Sequence, residues 1–413
     1  MLFIFVVFYE LQNLWGFISV LRVREVLYMY LTLRILTAYR VEFNLGVILL
    51  FLFFLYGSFV ALHTWLGYGS EIAIKGFLRW INAALIAPIA LVLIQDMAEA
   101  RNFFYLWVTL VIFGAMAAPY QFFGGELDWL VRGYSSFRGG LIRFKTLLGE
   151  PNVAGMAGAL VLGFALIAVR STFVQAILVT LSFVMIIFSV SKAALGGVMI
   201  VVLFSFWHRY VSLRKTSVIL AATVILGGIL FFIAPDFVRG MKQMSDVSVR
   251  TFFGKTGKNA AEDIYDRVVI MTAQGIELAH RESDLPVLTV LGGGSFAIAG
   301  SAAVQVGSES AILPHNSFAE IYLVGGLVYL AIFVSLILRV YDNLRKCKAN
   351  RVLNSARIMF ICTIVFAFTY PIIYAPALGA VFWLIVGLSL GGCVKSSFDI
   401  GTRTATPIGR SSV

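Results

Sequence analysis

Charge is what this sequence has least of. Only 13% of its residues are Asp, Glu, Lys or Arg, against 60% that are apolar. That balance lies outside the range of soluble domains and argues against a water-exposed globular fold. Cysteine is scarce as well. Cys347, Cys362 and Cys393 fall in or beside late apolar runs, so no disulfide framework is implied for the polar loops. Zinc-type Cys/His spacing and a Gly-Lys-Ser/Thr phosphate loop are missing. So is Asp-x-Asp in the long polar segments. Diphosphate chemistry that depends on Mg²⁺ generally needs such carboxylates, so we expect neither metal nor cofactor. The N-terminus lacks a basic leader and a small-residue cleavage site. Met1 runs straight into Leu2-Phe3-Ile4-Phe5, which reads as a first span rather than a signal peptide.

What the sequence does have is apolar runs of membrane-crossing length. They predict an all-α fold, a polytopic bundle of about twelve transmembrane helices forming a single domain over 1–413. The predicted spans are 2–20, 22–38, 44–63, 79–96, 103–120, 152–170, 172–190, 193–211, 217–234, 316–339, 355–374 and 377–394. The net charge of +11 reads as topology rather than nucleic-acid binding, because the basic residues crowd short loops. His208-Arg209 with Arg214-Lys215 marks one such loop. Arg345-Lys346-Cys347-Lys348, Arg351 and Arg357 mark another, and Lys395, Arg403 and Arg410 mark the tail. Counting crossings back from these places both termini in the cytoplasm. Two longer loops, 121–151 and 235–315, then face outward. The second is roughly 80 residues, too long for a plain connector.

That large loop carries its own signals. Asn259-Ala260-Ala261-Glu262 fits a capping box. Ile264, Val268, Met271 and Ile276 continue it as an apolar stripe through about 280, and Ser283-Asp284 with Pro286 ends the short helix. Gly292-Gly293-Gly294 follows. Such a run lets backbone approach a ligand closely or simply makes a turn.

Four landmarks then occur in order. Gly149-Glu150-Pro151-Asn152 opens one span, and Ser191-Lys192-Ala193-Ala194 opens another. Arg267 precedes the glycine run, and His315-Asn316 opens a span that carries Gly325-Gly326 further down. This ordered set resembles the O-antigen ligase and polysaccharide polymerase superfamily of bacterial inner-membrane glycosyltransferases, over roughly residues 100–390. It departs from the family at Lys192 and Ala193, where Arg-Gly is usual. Lysine keeps the charge but loses the planar fork that grips phosphate.

The resemblance implies a lipid-carrier glycosyltransferase. Its donor would be a glycan on undecaprenyl diphosphate. Its acceptor would be a hydroxyl of a second lipid-linked glycan, as in a polymerase, or of a lipid A core, as in a ligase. Membrane lipids and a chain-length regulator are the other implied partners, and nucleic acid is not one. On chemistry, His315 can take the acceptor proton, since imidazole titrates near neutrality. Arg267 can hold the departing diphosphate through two parallel hydrogen bonds. Without the resemblance, a helix-end histidine and a solvated helix arginine account for these two residues.

Arg138, Arg143 and Lys145, with Arg132, make the first outer loop a basic cluster fit for an anionic carrier or for lipid headgroups. Arg138 is followed by ten residues and then Gly149, and Arg281 has the same spacing to Gly292. That pairing resembles the O-antigen polymerases and favours polymerase over ligase. Glu150 and Asn152 flank a proline well placed at a first helical position. Glu320 lies about a turn inside from His315, where an ionisable group is a functional candidate by default. Together with Lys192, Arg281 and Asn316, these residues form the expected substrate-binding set. A transporter or lipid-linked glycan flippase is the reading from another class. It is disfavoured because polar residues gather outside the membrane rather than at its midplane.

Overall fold

The computed structural model describes residues 44–94, 96–122, 136–138, 141–143, 146, 148, 150–189, 191–208, 210, 316–346, 350–374 and 376–391. The predicted spans 2–20, 22–38 and 217–234 and the loop helix at 260–280 lie outside them. In chain order the helices are α1 (Leu45–Tyr68), α2 (Ser70–Ala84), α3 (Ile86–Leu93), α4 (Met97–Ala115) and α5 (Ala117–Phe122). They continue with α6 (Pro151–Ile167), α7 (Thr172–Ser189), α8 (Lys192–Trp207), α9 (Ser317–Lys346), α10 (Arg351–Ala367) and α11 (Pro376–Leu390). A two-stranded antiparallel ribbon, β1 (Ser136–Arg138) with β2 (Leu141–Arg143), is the exception to the all-helical expectation. Among the described residues, four helices, α1, α4 extended through α5, α7 and α9, are long and apolar enough to cross a membrane.

Helix starts follow local chemistry. Asn44 caps α1 by accepting from Val47 N at 3.1 Å, and Asp96 caps α4 by accepting from Glu99 N at 2.7 Å. Asn350 caps α10, accepting from Val352 N and Leu353 N. Each cap satisfies amide donors that the first helical turn leaves unpaired. At the far ends, Gln175 Nε2 donates to Ala165 O and Leu166 O. Asn44 and Asn343 donate to Leu390 O and Ser389 O. Side-chain amides thus serve the last carbonyls of α6 and α11, where no water-filled surface would do so.

Contacts between named residues fix the direction of each pass. Gly158 lies against Met185 and Ile186 while Gln175 meets the end of α6, so α7 runs antiparallel to α6. Ala159 meets Gly197 and Gly163 meets Val201, so α8 runs parallel to α6. Cys362 reaches Gly197 and Arg357 reaches His208, so α10 opposes α8. The starts of α6, α8, α9 and α11 therefore share one end of the bundle, here called the loop end. The ends of α8 and α9 and the start of α10 share the other, the basic end.

Between the ends sits α6. Every one of its residues except Asn152 is buried. A helix apolar all round is one that other helices surround, and its glycines let them come close. A second core forms where Tyr329 of α9 stacks on Phe53 at 5.1 Å beside Trp80 and Trp383, with its hydroxyl donating to Phe53 O at 3.2 Å.

Three predicted elements differ from the structure. The expected span 79–96 is a broken pass, α2 then α3, turning at Leu85 and beginning at Ser70. The expected span 355–374 ends at Ala367 and is followed by a 3-10 turn, Ile372–Tyr374. It also begins at Arg351, so Arg357, expected to mark a loop, lies inside the helix and is 5% exposed.

The tightest helix contact gives a stability test. A Cβ on Gly387 of α11 would meet the carbonyl oxygen of Ala87 and the Cβ of Ala90 on α3. Backbone cannot rotate away as a side chain can. Gly387→Ala should cost about 1–3 kcal/mol through overpacking, while Gly196→Ala, where nothing lies within 4 Å, should be neutral or mildly stabilising. Thermal unfolding in detergent compares the two, and equal melting points would refute the packing account.

Candidate functional site at the loop end

The start of α9 is held more firmly than a loop-to-helix junction requires. Asn316 is the cap, its Oδ1 accepting from Phe318 N at 2.9 Å and Ala319 N at 3.2 Å. The residue is 7% exposed. Its oxygen therefore serves the helix start. His315 itself, with Arg267, Lys145 and Arg281, lies outside the described residues.

Ser317 comes next and is fully buried. Its Oγ donates to Tyr370 O at 3.1 Å and accepts from Ile372 N at 2.9 Å. This clamps the start of α9 to the segment between α10 and α11. Ile373 O accepts from Trp383 Nε1 at 3.1 Å, and Ala377 O from Trp107 Nε1 at 3.1 Å. Phe318 stacks on Phe368 at 4.6 Å. The turn is thus tied to α4, α9 and α11 together. The sequence reading missed Ser317 and this turn. Pro371, placed where the span 355–374 was taken as continuous, was the available signal.

Glu320 occupies the first turn of α9 and is 5% exposed. It stands near the positive end of the helix dipole. Ten residues in from Asn316, Gly326 breaks α9 with φ of 68°, a backbone region that glycine enters freely and other residues rarely.

Glu150 precedes α6 as its N-cap residue. It is exposed, its side chain makes no capping bond, and Pro151 fills the first helical position. Asn152 follows, half-buried. Lys192 opens α8, where Ser191 Oγ accepts from Ala194 N at 3.4 Å. Gly155 packs on Ser189 and Ser191, so the start of α6 and the turn between α7 and α8 lie side by side. In the ribbon, Ser136 pairs with Arg143 and Arg138 with Leu141. That register puts positions 138 and 143 on one face of the ribbon. A Gly139-Gly140 pair between the strands was the sequence signal for this hairpin.

The structure therefore brings Glu150, Asn152, Lys192, Asn316 and Glu320 to one end of the bundle. Four helices begin there, each presenting the positive end of its dipole. Such an end suits an anionic ligand. Among the described residues no group of three or more His, Cys, Asp or Glu is placed to hold a metal. Comparison with protein-family models and with curated proteins finds no match.

Removing the Ser317 hydroxyl takes away one of the two acceptors of the Ile372 amide, which also donates to Tyr370 O at 2.9 Å, and the side-chain donor to Tyr370 O. Ser317→Ala should cost about 0.5–1.5 kcal/mol. Hydrogen exchange should rise at residues 370–374 and stay unchanged at residues 204–208. Unchanged exchange at 370–374 would show that the hydroxyl does not hold the turn.

Proposed function

We propose that this chain is a metal-independent glycosyltransferase of the bacterial inner membrane. It transfers a glycan from undecaprenyl diphosphate to a sugar hydroxyl at the periplasmic face, as a polymerase of polysaccharide repeat units. The ligase reading, with a lipid A core as acceptor, uses the same chemistry. The supporting observation is that the helix starts carrying the landmark residues share one end of the bundle. In this reading the chain has about twelve spans, the loop end faces the periplasm, and both termini are cytoplasmic.

The acceptor oxygen attacks the anomeric carbon as the bond from that carbon to the diphosphate oxygen breaks. His315 takes the hydroxyl proton. Arg267 neutralises the charge that develops on the leaving diphosphate, the kind of stabilisation that often dominates catalysis. The helix starts of α6, α8 and α9 add partial positive charge on the same side. Arg138, Arg143, Lys145, Lys192 and Arg281 supply the remaining cations, and Glu320 orients the base.

The two central residues should fail differently. With purified protein in nanodiscs and a lipid diphosphate glycan donor, His315→Ala should lower turnover roughly 10²–10⁴-fold and leave donor affinity near wild type. Arg267→Ala should weaken both, and Arg267→Lys should recover only part, because a point charge cannot replace the fork. Turnover in EDTA should match turnover with Mg²⁺. Loss of activity in EDTA that Mg²⁺ restores would rule out the cation-only scheme.

Topology is testable separately. Cysteines introduced at Ser283 and Ser397 should react oppositely with an impermeant thiol reagent in intact spheroplasts, with position 283 labelled and position 397 protected. The reverse pattern would put the loop end in the cytoplasm, where this donor is not presented.

A further inference from the structure

At the basic end, α10 carries a buried guanidinium for which no carboxylate partner occurs among the described residues. Arg357 is 5% exposed. One of its terminal nitrogens bonds His208 Nε2 at 3.0 Å, and its Cζ lies 4.8 Å from the centre of the Phe204 ring. Its Nε is buried without a hydrogen-bond partner. Arg351 opens the same helix six residues earlier, so a second guanidinium lies on the same end of α10. Ser205 Oγ, next to Phe204 in the chain, is buried and also without a partner. Burying a cation is costly unless an anion or a full set of acceptors meets it. Here a neutral ring and one imidazole lone pair are the partners.

The imidazole is a replaceable one. His208 Nδ1 lies 3.1 Å from Phe204 O, so that nitrogen carries the hydrogen and donates. Nε2 is then the acceptor for Arg357. The ring stacks on Phe204 at 4.1 Å and lies near-parallel to the Tyr210 ring at 6.0 Å, and the residue is exposed. It can swing outward about its own χ1 without disturbing α8. Doing so uncovers a planar, bidentate donor edge. The neighbours say what arrives there. Trp207 is 86% exposed and Leu203 is 66% exposed on the same last turns of α8. Both are exposed apolar side chains at the end of α8, the same end of the bundle as the end of α9 with Arg345 and Lys346 and the start of α10 with Arg351.

We propose that Arg357, with Arg351, forms a binding site for the phosphate group of an acidic phospholipid, and that His208 occupies the guanidinium edge until a phosphate displaces it. Arg pairs with phosphate through two parallel charge-assisted bonds, which imidazole cannot offer. The site is at the end of the bundle opposite Asn316. It stands independently of the transfer reaction, and its failure would leave that reading untouched.

The test titrates full-length protein in neutral detergent with dioctanoyl phosphatidylglycerol and counts bound lipid by native mass spectrometry. Dioctanoylglycerol, which lacks the phosphate, and inorganic phosphate are the other arms. Wild type should retain phosphatidylglycerol and not dioctanoylglycerol. His208→Ala frees the edge and should bind at least as tightly. His208→Glu supplies an internal anion and should weaken lipid binding at least about tenfold, the size of one lost charge-assisted bond, with a melting point no lower than wild type. Arg357→Gln should lose binding as well. If inorganic phosphate displaces the lipid, the site takes soluble phosphate through the same guanidinium; if it does not, the headgroup is the ligand. Wild-type affinity in a well-folded His208→Glu protein, or equal retention of dioctanoylglycerol, would overturn the proposal.

Discussion

Everything in this bundle depends on the close burial of α6. In hydrocarbon there is no water to drive helices together, so association rests on packing and on bonds between helices. Gly155, Gly158 and Gly163 supply the packing, receiving Ser189, Ile186 and Val201. Side chains at these positions would push α7 and α8 outward. α10 closes the remaining side, with Ile358 against Gly163. Because α6 is fixed from several directions, its start at Glu150 has a defined place relative to the start of α8. The same contacts align Arg357 with His208 across the basic end. Two chemically different ends are thus set by one apolar interior.

Helix identity and most boundaries were legible because they are local. Pro151 and Asn44 stand at starts that the structure places within a residue of the expected ones, whereas α4 begins at Met97, six residues before the expected 103. Hydropathy failed where a helix is apolar on one face only. Glu71, Lys75 and Arg79 delayed the expected start of the fourth span to 79, whereas α2 begins at Ser70. The same blindness hid the start of α10. Asn350 is a good cap, yet Arg351 and Arg357 read as loop charges. A membrane helix can carry an arginine in its second turn if an aromatic ring and an acceptor from a neighbour meet it. That neighbour, His208, is 149 positions away in the chain.

The candidate site was legible in part for the same reason. Glu320 one turn inside α9, and Pro151 at a helix start, follow from spacing. The clamp from Ser317 to Ile372 joins residues 55 positions apart, and no periodicity encodes it. Asn316 was read as a substrate contact, and the structure adds that its oxygen caps α9. Glu150 is the opposite case, because its carboxylate is exposed and makes no cap bond with the helix it precedes.

The break in α9 bears on whether such a chain transports or transforms its substrate. Transporters use broken helices to expose backbone to ions at the midplane, inside a polar cavity. Gly326 breaks α9 within the apolar span, so this geometry deserves comparison. The side chain over Gly325 is Tyr329. That ring sits in the aromatic core of Phe53, Trp80 and Trp383, and its hydroxyl bonds Phe53 O. The region of the break is therefore packed with rings that exclude water, and the polar groups of α9 lie toward its two ends. An arrangement of this kind re-aims the first turns of α9, with Asn316, Ser317 and Glu320, against the turn at 370–374. It fits a helix start held rigid at one membrane face better than a path through the middle.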